Sequence, residues 1–353
     1  MDNARTEVSA DSLILPRGGA RTTSSLPTVS PRILFAEHRG PFWTRMDRNY
    51  RYKYEHIRKL LEPHAFSFAD RAHWSEDTGP NRYAVLLVGV FAALAYQDSR
   101  PLPPVPDGWI RRIKQRCVMV EDLLPRSALV EALKDRYQYL VSTYDCDHLI
   151  RLQQELPGLR KTYIIPHHIN TDIYKDQKLP KIHDVLFYGN DDIRTYPFRT
   201  RLRNLLAGSR LKVHVIQHPD YETFDPARCG AALAGAINQS WIAIATPSIH
   251  DYLVAKYFEI SAAGAMVAGK MATQGLPIWQ ENYLRLEEDM SDAEILHRLF
   301  TALENKPSLQ RQAAEMNALV HREYSLNRYV ERLMSAMHSI ALDLSRTHSS
   351  TTQ

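Results

Sequence analysis

Trp241–Lys270 reads WIAIATPSIHDYLVAKYFEISAAGAMVAGK. Trp241–Ala245 has the apolar character of a buried strand, the next residues make a polar turn, and a helix of about three turns starts near Tyr252. Gly264 stops that helix, and Ala265–Ala268 opens another strand. Strand, turn, helix and strand compose a parallel βαβ unit, and the turn at the carboxyl end of its first strand is where open α/β sheets bind ligands. A helix starting near Tyr252 aims unpaired N–H groups and a partial positive charge into that crevice, which suits a phosphate. Lys256 adds a formal positive charge one turn in. Glu259 sits two turns in, where a carboxylate can accept hydrogen bonds from vicinal hydroxyls such as those of a ribose. Such a unit can hold a nucleotide diphosphate at one end and its ribose at the other.

The same alternation extends outward. Short apolar runs at Arg32–Glu37, Ala84–Val90, Cys117–Glu121, Tyr139–Ser142 and Thr162–Ile165 predict strands in the first half. Asp184–Tyr188, Lys212–Ile216, Trp241–Ala245 and Ala265–Ala268 predict them in the second, with helical segments between. The expected class is α/β, with two Rossmann-like domains facing each other across a cleft and a helical carboxyl-terminal region. The expected bounds are a flexible leader over 1–30, an amino-terminal domain over 31–170, a linker over 171–182 that overlaps the proline-bracketed stretch Pro166–Lys181, and a nucleotide domain over 183–326. A helix over 327–344 is expected to pack back on the amino-terminal domain, leaving 345–353 as a polar tail. Ser291-Asp292-Ala293-Glu294 has the form of a capping box and predicts a helix to about Glu304.

Composition sets the outer limits. The chain has 353 residues, 44% of them hydrophobic and 24% charged, which excludes a wholly disordered protein and suits two domains. Lys+Arg 44 against Asp+Glu 40 gives a formal net charge of +4, too small an excess to argue for nucleic-acid binding without a recognised motif. Cys117, Cys146 and Cys229 are too widely spaced for a disulfide framework or a metal pair, so free thiols in a reducing, cytoplasmic compartment are expected. The longest apolar run, Tyr83–Tyr96, is too short to span a bilayer, and the amino terminus lacks the form of a secretory signal. Segment 42–61 repeats apolar residues at helical spacing and carries an exposed basic face, which can meet water, a membrane surface or an anionic acceptor.

Further residues can carry chemistry. Arg194, Arg199 and Arg201 follow the Gly189 turn closely enough to meet a diphosphate leaving group, and Arg199 in the run Tyr196-Pro197-Phe198-Arg199 is the choice among them. His38, after the first strand, can orient an acceptor hydroxyl or act as a base. Glu121 and Asp122, at the end of a buried strand, can bind acceptor hydroxyls or cap the following helix. Asp145-Cys146-Asp147 has the Asp-x-Asp form of a metal site, but it opens a helix in the half opposite the nucleotide unit. The histidines show no metal-ligand spacing, and no metal or cofactor is expected.

Asp251-x7-Glu259-Ile-Ser-Ala-Ala-Gly264-Ala-Met-Val-Ala resembles the acidic pair and glycine tail of the group 1 glycosyl transferases of GT-B fold. Tyr163–Tyr174 is similar to that family's interdomain linker, with His167 and His168 where Asn and Gly are usual. Asp184-Val-Leu-Phe-Tyr-Gly189-Asn190 is similar to the strand and turn opening its nucleotide domain, and Tyr196–Arg199 resembles spore-coat members. Cys117–Pro125 is similar to a strand ending in His-Asp, with Glu121 in the histidine's place.

The resemblance implies transfer of a sugar from a nucleotide-sugar to a carbohydrate, lipid-linked or protein acceptor, with retention of configuration and without metal. Together with the residues read above, the expected donor site is Gly189, Asn190, Arg199, Tyr252, Lys256 and Glu259, and the resemblance puts Glu259 on the ribose. Asp251 would lie beside the transferred sugar, with His38 and Glu121 on the acceptor side. A nucleotide-sugar epimerase or an inverting transferase on the same scaffold, with His38 or Glu121 as base, is a second reading. An inactive nucleotide- or glycan-binding module is a third.

Overall fold

The computed structural model describes residues 32–37, 58–62, 66–70, 83–89, 96–97, 100–101, 105–120, 126–218 and 225–349. The expected leader, most of the basic 42–61 segment, His38, Glu121 and Asp122 lie outside the described residues. The first sheet contains β1 (Ile33–Glu37), β2 (Phe66–Asp70) and β3 (Val85–Gly89). A short antiparallel pair, β4 (Tyr96–Gln97) and β5 (Arg100–Pro101), stands apart from it. β6 (Gln115–Val120), β7 (Tyr139–Ser142) and β8 (Lys161–Ile164) complete the sheet in the order β2-β1-β3-β6-β7-β8, every pair parallel. The second sheet is β9 (His183–Gly189), β10 (Val213–Gln217), β11 (Ser240–Ile244), β12 (Met266–Gly269) and β13 (Leu284–Arg285), in the parallel order β10-β9-β11-β12-β13. β2 and β13 are absent from the sequence expectation. β13 is two residues long, and FSFAD in β2 has no aliphatic run to mark it.

Each sheet is covered on both faces, and the period of two along a strand divides its residues between them. Leu34, Leu86, Val118 and Leu140 face a layer built from α1 (Asp107–Arg112), α2 (Arg126–Leu133) and α3 (Asp147–Glu155) through Trp109, Leu129, Leu133, Leu149 and Leu152. In the second sheet Val185, Phe187, Ile242 and Ile244 face one layer, while Leu186, Tyr188, Ala243 and Val267 face the other. The first of these layers is α4 (Pro197–Ala207) together with α8, and the second comprises α5 (Gly230–Asn238), α6 (Lys256–Ala262), α7 (Leu276–Trp279) and α9. Here α8 is Asp292–Glu304 and α9 is Lys306–Glu323. Ser291 and Glu294 form the expected capping box at the start of α8.

The last helix, α10 (Leu326–Ser349), lies on the first sheet, with Leu333, Met337 and Ile340 packed among Phe35, Val85 and Met119. Burial of each such side chain contributes roughly 1.5–3 kcal/mol. Tyr139 and Tyr163 donate hydrogen bonds to Asp343 (2.5 Å) and Ser339 (3.0 Å) of this helix. The helix runs on to Ser349 through the segment expected as a polar tail. Where the chain passes from one sheet to the other and back, Ile169 donates its N–H to Tyr324 O at 2.8 Å and pairs with Ser325. Among the described residues no helix is long and apolar enough to cross a membrane.

Candidate functional site

In the second sheet the chain runs outward to β10 and then returns past β9 to β11, so the direction of winding reverses between β9 and β11. The loops leaving those two strands diverge, and the gap at their carboxyl ends is the place where this topology accepts a ligand. Gly189 ends β9 with φ +86°, and a Cβ there would lie 2.6 Å from Lys256 Nζ. Only glycine allows that conformation at no steric cost, together with so close an approach.

Two buried cations meet at this gap. Arg199, from the first turn of α4, is 2% exposed, and Lys256, the first residue of α6, is 7% exposed. Arg199 donates from Nη1 to Asn190 O (2.6 Å), from Nη2 to Thr246 O (2.6 Å) and from Nε to Thr246 Oγ1 (3.2 Å), and stacks over the Tyr196 ring. It therefore ties the loop after β9 to the loop after β11. Lys256 Nζ donates to Tyr188 O and lies 4.3 Å from the centre of the Tyr188 ring. Among the described residues neither cation has a carboxylate within ion-pair distance. Burial, and then the nearby Arg199, drive the Lys256 ammonium well below its ordinary pKa, against the opposing pull of Glu259 and Asp191. Burial likewise lowers Arg199. A buried charge without an ion pair costs on the order of several kcal/mol; Glu259 and Asp191 oppose part of that for Lys256, and an entering anion would offset more.

Glu259 lies three residues beyond Lys256 on α6, half-buried, and accepts a hydrogen bond from the Tyr188 hydroxyl at 3.1 Å. Burial and the adjacent Glu259 raise Tyr188 well above its ordinary range, so that hydroxyl remains a donor. Asn190 takes part through its carbonyl, while its side chain accepts the N–H of Asp192.

Two expectations change. The helix opens at Lys256, not near Tyr252, and the N–H groups of Tyr257 and Phe258 already bond Val254 O and Ala255 O. The positive character of the gap thus comes from side chains. Tyr252, expected near the donor, instead turns into the first half's core and stacks on Tyr144 at 4.2 Å and 8°. Asp251 lies in the loop before α6 with φ +58°, and its carboxylate accepts the Thr273 N–H at 3.0 Å. Of the other arginines, Arg194 is exposed beside Asp192, and Arg201 is turned away onto Asp292. Thr246 and Tyr188 join the site without having been singled out by sequence, although both directly follow or end an expected strand.

Among the described residues no three metal-ligating side chains gather; Asp147 opens α3, and Asp145 is exposed. A surface groove lined by His214 and Ile216 of β10 and by Ala231, Gly235 and Gln239 includes none of the crevice residues.

No protein-family model matches the sequence, and no curated protein matches it. Among solved structures the fold is similar to Anabaena HepE in complex with UDP and glucose, with TM-score 0.52, 12% identity, and cover of 88% of this chain and 100% of that one. It is similar also to α,α-trehalose 6-phosphate synthase from Burkholderia multivorans, with TM-score 0.50, 10% identity, and cover of 90% and 100%. TarM matches over 72% of this chain at TM-score 0.49 and 6% identity, and the chain spans only 54% of TarM's length. What these likenesses share with the two parallel sheets is the architecture: the chain has the GT-B fold.

Proposed function

We propose that the chain is a glycosyltransferase that moves a sugar from a nucleotide-sugar to a hydroxyl of a carbohydrate, lipid-linked or protein acceptor. The observation that carries this reading is the pair of buried cations, Arg199 and Lys256, set without an ion-pair partner among the described residues at the switch point of the second sheet, with Glu259 beside them. As the bond from sugar to diphosphate breaks, negative charge grows on the departing oxygens, and a cation already fixed in place stabilises it without reorganisation. Lys256 is so fixed by Tyr188 and Gly189. The two Arg199 N–H groups not used to join the loops are available to the same diphosphate. Glu259, oriented by Tyr188, would accept from the ribose hydroxyls. Asp251 would face the sugar, as the sequence resemblance implies. The acceptor oxygen would bond the anomeric carbon on the face the diphosphate leaves and pass its proton to a departing phosphate oxygen, so that retention requires no protein nucleophile. The fold match to HepE, whose structure holds UDP and glucose, supports the donor class.

A melting-temperature screen of UDP-, GDP-, ADP- and CMP-sugars tests the reading, since a ligand at about 100 times its Kd adds ~2.7 kcal/mol to the native state. A rise is expected with at least one of them, lost in Lys256→Ala and weakened about tenfold in affinity in Glu259→Ala. No rise with any sugar nucleotide, or an undiminished rise in Lys256→Ala, contradicts it.

A further inference from the structure

The Asp251 carboxylate is bonded to a turn that is itself seated on the other half of the molecule. Thr273–Gly275 is a single 3-10 turn after β12, and Thr273 gives its N–H to Asp251 Oδ2. Gly275 presses on the same loop: a Cβ there would lie 2.9 Å from Leu253 Cδ1 and 2.6 Å from Met271 Sδ. Between them Gln274 reaches across to the loop following β7 in the first half. Its Oε1 accepts the Asp145 N–H at 3.1 Å, and its Nε2 donates to Thr143 O at 3.2 Å. Both partners are main-chain groups, and only a primary amide of this length answers a donor and an acceptor there at once. The Tyr144–Tyr252 stack seals the same junction one residue from Asp251.

We infer that Gln274 is a positioning residue: by seating the Thr273–Gly275 turn on the loop after β7, it holds the Asp251 carboxylate, in its φ +58° conformation, for work on the transferred sugar. Asp251 is then set only while the two halves touch at this point. The role given to Asp251 rests on the donor reading above; the coupling of Gln274 to Asp251 does not.

Two measurements on the full chain test this. The first, amide hydrogen exchange by NMR, needs no ligand. In Gln274→Ala the Thr273 amide is expected to exchange at least tenfold faster, with Leu186 and Val267 of the central strands unchanged. Gln274→Glu keeps the shape and the acceptor for Asp145 and loses the donor to Thr143, so it should fall between. A Thr273 rate within twofold of wild type overturns the inference. The second uses whichever nucleotide-sugar the melting screen selects, followed by release of the nucleoside diphosphate. Gln274→Ala should lower kcat tenfold or more with KM within twofold, and in an Asp251→Ala background Gln274→Ala should cost nothing further, because it acts only through that carboxylate. Losses that multiply in the double variant overturn it. If no nucleotide-sugar binds wild type, the donor reading fails, and the Thr273 exchange rate alone decides the coupling.

Discussion

Gly189 leaves no room for a side chain beside Lys256. Gly189→Ala places a Cβ against the Lys256 ammonium in a backbone conformation that costs an L-residue roughly 1–2 kcal/mol, so urea unfolding should show a loss of at least that size. Nucleotide affinity should fall with it, because the lysine must move; stability and affinity both at wild-type values would refute the packing described. Lys256 and Glu259 were legible in the sequence because a spacing of three on a helix puts both on one face, directly after a strand end. Arg199 was legible as charge near the Gly189 turn, but its work in joining two loops through Asn190 O and Thr246 O was not. Gln274 escaped notice, and Tyr252 was assigned to the donor site, for the same reason: their partners, Thr143, Asp145 and Tyr144, are distant in the chain, and no periodicity records such a contact.

At the level of the element, the misplaced start of α6 has a packing cause. Tyr252-Leu253-Val254 looks like the apolar side of a helix, yet Tyr252 enters the core of the first half and Leu253 that of the second, so the segment is a loop shared by two cores. The far end of α6 is held by α9, where Asn317 Nδ2 donates to Ser261 O and Ala262 O, and His321 Nε2 meets Ala262 O at 3.1 Å. These carbonyls have no partner within the helix, so the caps fix α6, and with it Lys256 and Glu259. The linker is anchored beneath the same sheet by Lys181, whose ammonium donates to Ser240 O (2.9 Å) and Gly264 O (2.8 Å). Burial lowers its pKa from 10.5 to about 8. Between those two values the unfolded chain binds more protons at this group than the folded one, so its contribution to stability rises with pH across that window and is flat outside it. Urea midpoints at pH 7.5 and 9.5 should therefore show wild type gaining on Lys181→Met as pH rises; a difference that stays constant or shrinks would remove Lys181 from that role.

For the molecule as a whole, the sheets were the easiest part to read, because strands covered by helices on both faces are apolar at successive positions, as in Val185-Leu186-Phe187-Tyr188. The edges were harder. β2 and β13 show little of that signal, and the extent of α10 depends on polar residues that a helix merely tolerates. The return of α10 to the first sheet and the Ile169–Tyr324 bond make the two passages between sheets neighbours, so the halves are joined there. On the proposed function, the diphosphate of a sugar nucleotide rests between the ends of β9 and β11. A crystal structure of the chain with the nucleotide-sugar that most raises its melting temperature tests this most directly. Phosphate oxygens are expected within hydrogen-bond reach of Lys256 Nζ and ribose hydroxyls at Glu259, whereas a nucleotide seated elsewhere, such as in the groove beside β10, with Lys256 still held only by Tyr188, would refute the donor site.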